Sequence, residues 1–354
     1  MDHSQMEREI ERRSRELART LYQDWLKSLA PAEAEGAVVD AEGQERTRKR
    51  THERELETVF GTVTVERTGY GAEGQDSLHP LDAQLNLPAE RYSLQVRRRV
   101  ALEAAKNSFE EAGETLARYT GAHVPKRQLE ELVKRAAIDF DDFYEVRRQE
   151  GKGVPAPGPP SLMVITADSK GIMMHKQDLR EATRKAAEKK KRSTLRTRLS
   201  WGEKRHRKRM ATVASVYAVG RYVRTPEQMY RTLARLHDAL DRDIDAANLA
   251  YDQYLAAGMP IASAVVEGAC RHLIKDRMEL TGARWRLTGA EAVLRLRALR
   301  SSNDFDEYWR FHEAREYERN HCARYAEEEV PAVADSNTSR LKLIEYPRPV
   351  SQRP

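Results

Sequence analysis

Residues 150–161, EGKGVPAPGPPS, hold four prolines and three glycines in twelve positions. No regular element runs through such a density. Each proline fixes φ and removes a backbone donor, and each glycine leaves the chain free to turn. The stretch therefore divides the chain, and a new domain is expected to begin near Leu162. With 354 residues against ~100–200 per domain, two or three domains follow. The expected division is an N-terminal helix and linker (1–55), a β-hairpin arm with a helical domain (56–150), the Pro/Gly linker (151–161), a further domain (162–325) and a disordered tail (326–354).

Composition narrows the class. The chain is 33% charged and 40% hydrophobic, with a mean hydropathy of -0.78, so the core is modest and the surface heavily charged. No run approaches the ~18 apolar residues of a membrane span. Met1 to Ala30 is a charged amphipathic stretch rather than a signal peptide. A cytoplasmic protein without a membrane partner is expected. Cys270 and Cys322 are the only cysteines, too few for a disulfide framework or a structural zinc site, so both read as reduced.

The net charge of +6 conceals a stronger polarity. Arg184 to Arg209 carries thirteen lysines and arginines against two glutamates, which leaves the rest of the chain acidic on balance. Lys189, Lys190, Lys191, Arg192, Arg205, Lys208 and Arg209 form the footprint of a protein that neutralises phosphates and releases counterions. A solvated basic loop without a partner has the same composition.

Helical periodicity begins at residues 4–29, where Met6, Ile10, Leu17, Leu21 and Trp25 recur between charges, a helix for packing or dimerisation. AEAEGAVVDAEGQERTRKR reads as a polar linker with a basic end. VFGTVTVERTGYG alternates Val63 and Val65 with polar residues and reads as a β-hairpin arm. Residues 93–145 are helical in pattern. Ser108 and Glu111 stand in capping-box spacing, the pattern breaks at Gly121, and a second helix opens near Pro125. Lys126 and Arg127 fall in the first turn of that second helix. Two short helices about a glycine turn, with residues able to reach base edges at the start of the second, are the layout of a helix-turn-helix. An ordinary helical hairpin has the same outline.

Beyond the linker, SLMVITADSKGIMMHK (161–176) predicts a strand over 162–167, a tight turn and a second strand over 171–175. Asp168 is then either a carboxylate at a strand end or the polar corner of a hairpin. A basic helical excursion over about 178–209 follows, then a strand in MATVASVYAVG, and the chain stays helical to about Ala326. Glu267, Arg271 and Lys275 recur four apart and share one helical face, which sets an anion beside two cations or forms a surface ion pair. Trp285, between Arg284 and Arg286, is suited either to stacking on an unpaired base or to core packing. His272 beside Cys270 lacks metal-ligand spacing. No nucleotide fingerprint is present.

The strings ADSKG, LREATRKAAEKKK, RHRKRMATVASVY and YDQYLAAGMPIASAVVEGACRHLIKDRMELTGARWRLTGAEAVLRLRALRSSNDFDEYW closely resemble the ISKra group of bacterial insertion-sequence transposases. FGTVTVERTGY, LNLPAERYS and SFEEAGETLARYTG resemble it as well, so that the likeness covers about residues 56–225 and 250–325. Membership implies an α/β core of ribonuclease-H-like type, a Mg²⁺- or Mn²⁺-dependent DDE site, and cutting and joining of DNA at the element's terminal repeats. By motif, Asp168 matches the first carboxylate, with Ser169 where the family has glycine, and Glu267 matches the last. Both would be catalytic and metal-binding. The family's middle Asp lies in a segment for which this chain has only Arg224 to Ala250. An internal deletion is inferred, leaving a truncated mixed sheet in a helix-dominated fold with a largely helical N-terminal DNA-binding region and a helical C-terminal part. Asp238, Asp241, Asp243 and Asp245 lie on a charged helical pattern, where solvated carboxylates are ordinary. The first reading is therefore a DDE transposase that binds the terminal repeats with impaired or lost cleavage, because a two-metal site lacks one ligand, and the second is a catalytically silent DNA-binding regulator derived from it. Exposed apolar faces predict reduced stability or association with a second copy or with full-length transposase. A general basic nucleic-acid-binding protein is the third reading.

Overall fold

The computed structural model describes residues 2–29, 32–151, 161–189, 208–231, 251–259 and 268–334. The chain forms two compact units: Met1–Ala136 with Phe305–Pro354, and Ala137–Asp304. Helices dominate the described residues, and the strands form two separate two-stranded antiparallel sheets.

In the first unit, helix α1 (His3–Leu29) lies against a hairpin of β1 (Arg48–Thr58) and β2 (Gly61–Gly71). Leu26 of α1 joins Leu56, Val63, Val65 and Leu87 in one core cluster, with Tyr22 and Trp25 packed against it. Burial of such aliphatic side chains stabilises by about 1.5–3 kcal/mol each. Met6, Ile10, Leu17 and Leu21, on a different stripe of α1, are exposed.

The hairpin is longer than its sequence suggests. RKRTHERELET, whose basic start reads as the end of a linker, is strand β1, because β2 pairs with it from Arg48↔Gly71 to Thr58↔Gly61. Its outer half is exposed and only its last three residues are buried, so charges and strand geometry coexist.

A short helix α2 (Pro80–Gln84) precedes a group of three: α3 (Leu94–Lys106), α4 (Phe109–Tyr119) and α5 (Lys126–Ala136). Helix α3 packs on both α4 and α5. Ser108 and Glu111 form the full capping box at the start of α4. Gly121 N–H donates to the Val59 carbonyl at 2.9 Å, and a Cβ at Gly121 would lie 2.5 Å from the Phe60 carbonyl oxygen. Only glycine lets the turn between α4 and α5 seat on the hairpin tip.

The chain returns to this unit at its far end, with a helix at Phe305–Asn320, which sequence alone places in the C-terminal domain. Arg97, fully buried, ties it down through Glu316 and His312. Residues 326–334, expected in a disordered tail, are packed: Val333 shares a cluster with Ala32 and Leu81, and Ala334 N–H donates to the Glu33 carbonyl at 2.8 Å. Residues 335–354 lie outside the described residues.

In the second unit, α6 (Phe140–Gln149) is followed by β3 (Ser161–Met173), α7 (Glu181–Lys189) and β4 (Lys208–Gly220). The turn expected at Asp168–Gly171 does not form. Strand β3 runs through it unbroken, paired with β4 from Ser161↔Gly220 to Met173↔Lys208. The ladder supplied by β4 overrides the local turn preference of Asp-Ser-Lys-Gly. Met163, Ile165, Met210 and Val216 are exposed, and the register sets them on one face of this sheet. A π-helical turn, Cys270–Lys275, packs on both strands, and α8 (Leu287–Ser301) packs on that turn. Numbered in sequence, the returning Phe305–Asn320 helix is α9. What is described of this unit is one antiparallel strand pair with helices packed on it, and the ribonuclease-H-like core expected from the motif strings is not shown by it.

Candidate nucleic-acid interface and the Asp168 site

The two candidate sites lie in different units and are described separately. In the first unit, Leu129, Leu132, Val133 and Ala136 bury one face of α5. Lys126, Arg127 and Gln128, in its first turn, are exposed. Burial of the hydrophobic face thus fixes the direction in which the polar first turn looks. Unpaired N–H groups and the dipole at a helix start favour phosphate, and the exposed long side chains reach further.

A groove of about 680 Å³ beside the α4–α5 turn is lined by Arg8, Arg12, Arg15, Arg19, Arg118 and Tyr119, with Glu11 and Glu16 among them. Glu9 binds Arg12 and Arg13, Glu11 binds Arg15, and Glu16 binds Arg19. Hydrogen bonds from Arg12 and Arg13 hold the Glu9 carboxyl down at about 2. Much of the groove's positive charge is therefore already compensated, and α5 presents the less compensated cations.

In the second unit, Asp168 sits in the middle of β3 opposite Val213, exposed rather than at a strand end. Its Oδ1 accepts the Ser169 N–H at 2.7 Å. The Cys270 thiol also donates to the carboxylate, and this bond, with the Ser169 amide and the nearby Lys170 charge, holds the carboxyl below its ordinary range. Burial and the Asp168 charge push the thiol up to about 11. The pair is thus an ionised carboxylate with a neutral thiol donor. Cys270 is the neighbour of Asp168 that the sequence does not announce, because a thiol donor leaves no spacing signature. Its place three residues after Glu267 in the chain was the available hint.

Magnesium and manganese ions want several oxygen ligands, and a two-metal site wants carboxylates from more than one element. Of the carboxylates such a site would use, Asp168 is the one that is described. Asp168 has a neutral thiol and a backbone amide as partners, and no group of three or more His, Cys, Asp or Glu able to hold a metal occurs among the described residues. Glu267 lies outside the described residues, as do Asp238, Asp241, Asp243 and Asp245.

The basic block is described at its edges. Lys190, Lys191, Arg192 and Arg205 lie outside the described residues, and Lys189 ends α7. Lys208 is exposed at the start of β4, and Arg209 beside it is half-buried, with Nη1 3.4 Å from the Asp178 carbonyl oxygen. Arg271 and Lys275 are exposed on the π-helical turn, and Arg284 is exposed.

Trp285 is a correction. The ring is buried, 6% exposed, its Nε1 donates to the Met278 carbonyl at 3.0 Å, and the Arg277 guanidinium lies 4.8 Å from its centre. Its backbone adds to the end of β3, with Trp285 N–H donating to the Met173 carbonyl at 3.0 Å. The side chain fills the core and is not presented to a base.

Among the described residues no helix is long and apolar enough to cross a membrane. Comparison with protein-family models and with curated proteins returns no match.

Proposed function

We propose that the chain is a transposase-type DNA-binding protein whose α4–α5 pair recognises the terminal repeats of an insertion sequence, acting as a silent derivative that occupies those ends. The observation that carries this reading is the exposed first turn of α5. Lys126, Arg127 and Gln128 stand free while Leu129, Leu132 and Val133 anchor the helix behind them. The motif strings that resemble the ISKra transposases support the choice of DNA over other polyanions. The short Arg224 to Ala250 bridge, which stands where the resembled family holds its middle carboxylate, favours silence over strand cleavage.

Strand cleavage and transfer through Asp168 and Glu267 with Mg²⁺ or Mn²⁺ is the second reading, supported by the ionised state of Asp168 and by the motif that surrounds Glu267. One experiment separates the two. The purified chain is incubated with labelled terminal-repeat DNA and each metal. Repeat-specific gel shifts without nicking are expected. Nicking that disappears in Asp168→Ala would establish the enzyme, and binding without repeat preference would leave only a general basic nucleic-acid-binding protein.

Self-association, or association with full-length transposase, belongs to the same reading. It is supported by the apolar sheet face of Met163, Ile165, Met210 and Val216, left exposed on a sheet of two strands.

A further inference from the structure

Helix α1 carries its two faces the wrong way round for a helix that serves only its own unit. Leu26 is buried near its C-terminal end, with Tyr22 and Trp25 packed on the same cluster. Towards the N-terminus that side of the helix continues as Arg8, Arg12, Arg15 and Arg19, which line the groove shared with Phe60, Arg118 and Tyr119. At about 100° per residue, Met6, Ile10, Leu17 and Leu21 fall within roughly 60° of arc on the opposite side. All four are between 47% and 60% exposed. The charged face is turned towards the unit and the apolar face away from it. An amphipathic helix ordinarily does the reverse, and a continuous apolar stripe left in water marks a surface that a partner covers.

The order of residues along the stripe says which partner. From His3 through Met6, Ile10, Leu17 and Leu21 to Asp24 the spacings are 3, 4, 7, 4 and 3, which read the same in both directions. With the 7 counted as two steps, the average is about 3.5, the repeat of two helices wound on each other. The middle step falls at Arg13, which folds back on Glu9 at 2.6 Å, and at the small Ser14. An unrelated partner requires no such symmetry. A two-fold pair of identical helices requires it, because each residue must match its counterpart on the reversed copy.

Turned antiparallel, Met6 lies against Leu21 of the second copy and Ile10 against Leu17. At both ends His3 meets Asp24, and both are exposed. His3 leans on Glu7 at 3.6 Å, an exposed pair of the kind worth little and easily exchanged. A parallel pair would instead set Asp24 against Asp24 and His3 against His3. Charge therefore chooses the antiparallel arrangement.

We propose that α1 is a homodimerisation helix, which pairs antiparallel with α1 of a second copy about a two-fold axis between positions 13 and 14. The proposal deepens the self-association reading and is independent of DNA binding. Contact over ~30 Å of helix buries less than the ~1,600 Å² of a standard interface. The dimer is accordingly expected in the micromolar range, roughly 1–50 μM.

Sedimentation of the full chain from about 1 to 100 μM should pass from monomer to dimer. Leu17→Lys sets a charge in the seam at an exposed helical position, so it should weaken the dimer by about tenfold or more and leave Tm in place. His3→Asp should weaken it by about threefold, and Asp24→His in the same chain should restore it. Orientation is read by mixing Met6→Cys chains with Leu21→Cys chains under mild oxidation and mapping linked peptides by mass spectrometry. Links between positions 6 and 21 are expected in the mixture, and none between two positions 6 in Met6→Cys alone. A dimer that survives Leu17→Lys and is lost in Ile165→Lys would keep self-association and overturn the α1 surface. A monomer at every concentration would overturn both, and links between two positions 6 would overturn the antiparallel arrangement.

Discussion

Arg97 and Glu316 meet at 2.7 Å across 219 residues of sequence, with side chains 0% and 8% exposed. The same guanidinium ion-pairs with Glu90 and bonds His312 at 3.0 Å. Removal of the cation would leave two carboxylates in a low-dielectric interior without their counter-charge. Arg97→Met, which keeps most of the volume, is expected to destabilise by about 3–5 kcal/mol, measured by urea unfolding. A change below about 1 kcal/mol would show that α9 is held by its apolar contacts alone.

Stability should also fall with acid in two steps. Burial pushes His79 and His321 far below the ordinary 6.5, to about 3 and about 4. The unfolded chain therefore binds protons that the folded chain refuses, and stability is lost as pH falls from about 6.5 towards about 4. Burial raises the Glu316 carboxyl, but the Arg97 charge and hydrogen bond outweigh it and leave the group below its ordinary 4.5. Its contribution is present above 4.5 and disappears as pH falls further. Thermal melts between pH 4 and pH 8 should slope upward, and His79→Asn should flatten the upper part of that slope.

For DNA, Arg127→Ala and Lys126→Ala should leave the melting temperature unchanged, because both side chains are exposed. A phosphate contact would show as a salt-dependence slope reduced by about 1, and a base contact as a loss of about 1–3 kcal/mol confined to the specific sequence. Fluorescence anisotropy across a salt series distinguishes these outcomes. No effect of either substitution would remove α5 from the interface.

Cys270 offers a probe of Asp168. With its thiol raised to about 11 and the residue 5% exposed, alkylation at pH 8 should be much slower than at Cys322. Asp168→Asn removes the charge that helps to hold the proton, so the Cys270 rate should rise. Mass spectrometry of peptides after timed iodoacetamide quenching reads both sites. Equal rates at Cys270 in wild type and variant would mean that the thiol does not sense the carboxylate.

Two apolar surfaces compete to explain any self-association: the sheet face centred on Ile165 and the α1 stripe centred on Leu17. Leu17→Lys is expected to reduce concentration-dependent sedimentation more than Ile165→Lys, because the α1 stripe matches itself on reversal. The reverse order would assign association to the sheet, whose unpaired edges a second chain could also use.

Elements that depend on local signals were legible in the sequence: the long first helix, the capping box of Ser108 and Glu111, and the glycine turn before Lys126. Elements that depend on distant partners were not. Arg48 to Glu55 carries no strand signal of its own and extends because β2 lies beside it. Asp168 to Gly171 has turn chemistry, yet β4 holds it straight. The return of α9 depends on contacts such as those of the buried Arg97 with His312 and Glu316, more than 200 positions away. Trp285, set between two arginines, has the local look of a stacking platform, and only the fold reveals it as core. The Asp168–Cys270 bond likewise joins residues 102 positions apart in the chain, beyond the reach of any spacing rule.

The way the first unit is closed also sets a timetable. The segment bearing α5 leaves the ribosome early, yet its unit is completed by residues that begin at Phe305, after about 170 intervening positions. At ~5–20 residues per second of synthesis, a nascent chain waits roughly 10–30 s between making α5 and receiving the piece that closes its unit. A transcript broken before the codon for Glu316 would yield a product in which the buried Arg97 keeps Glu90 but lacks its second carboxylate.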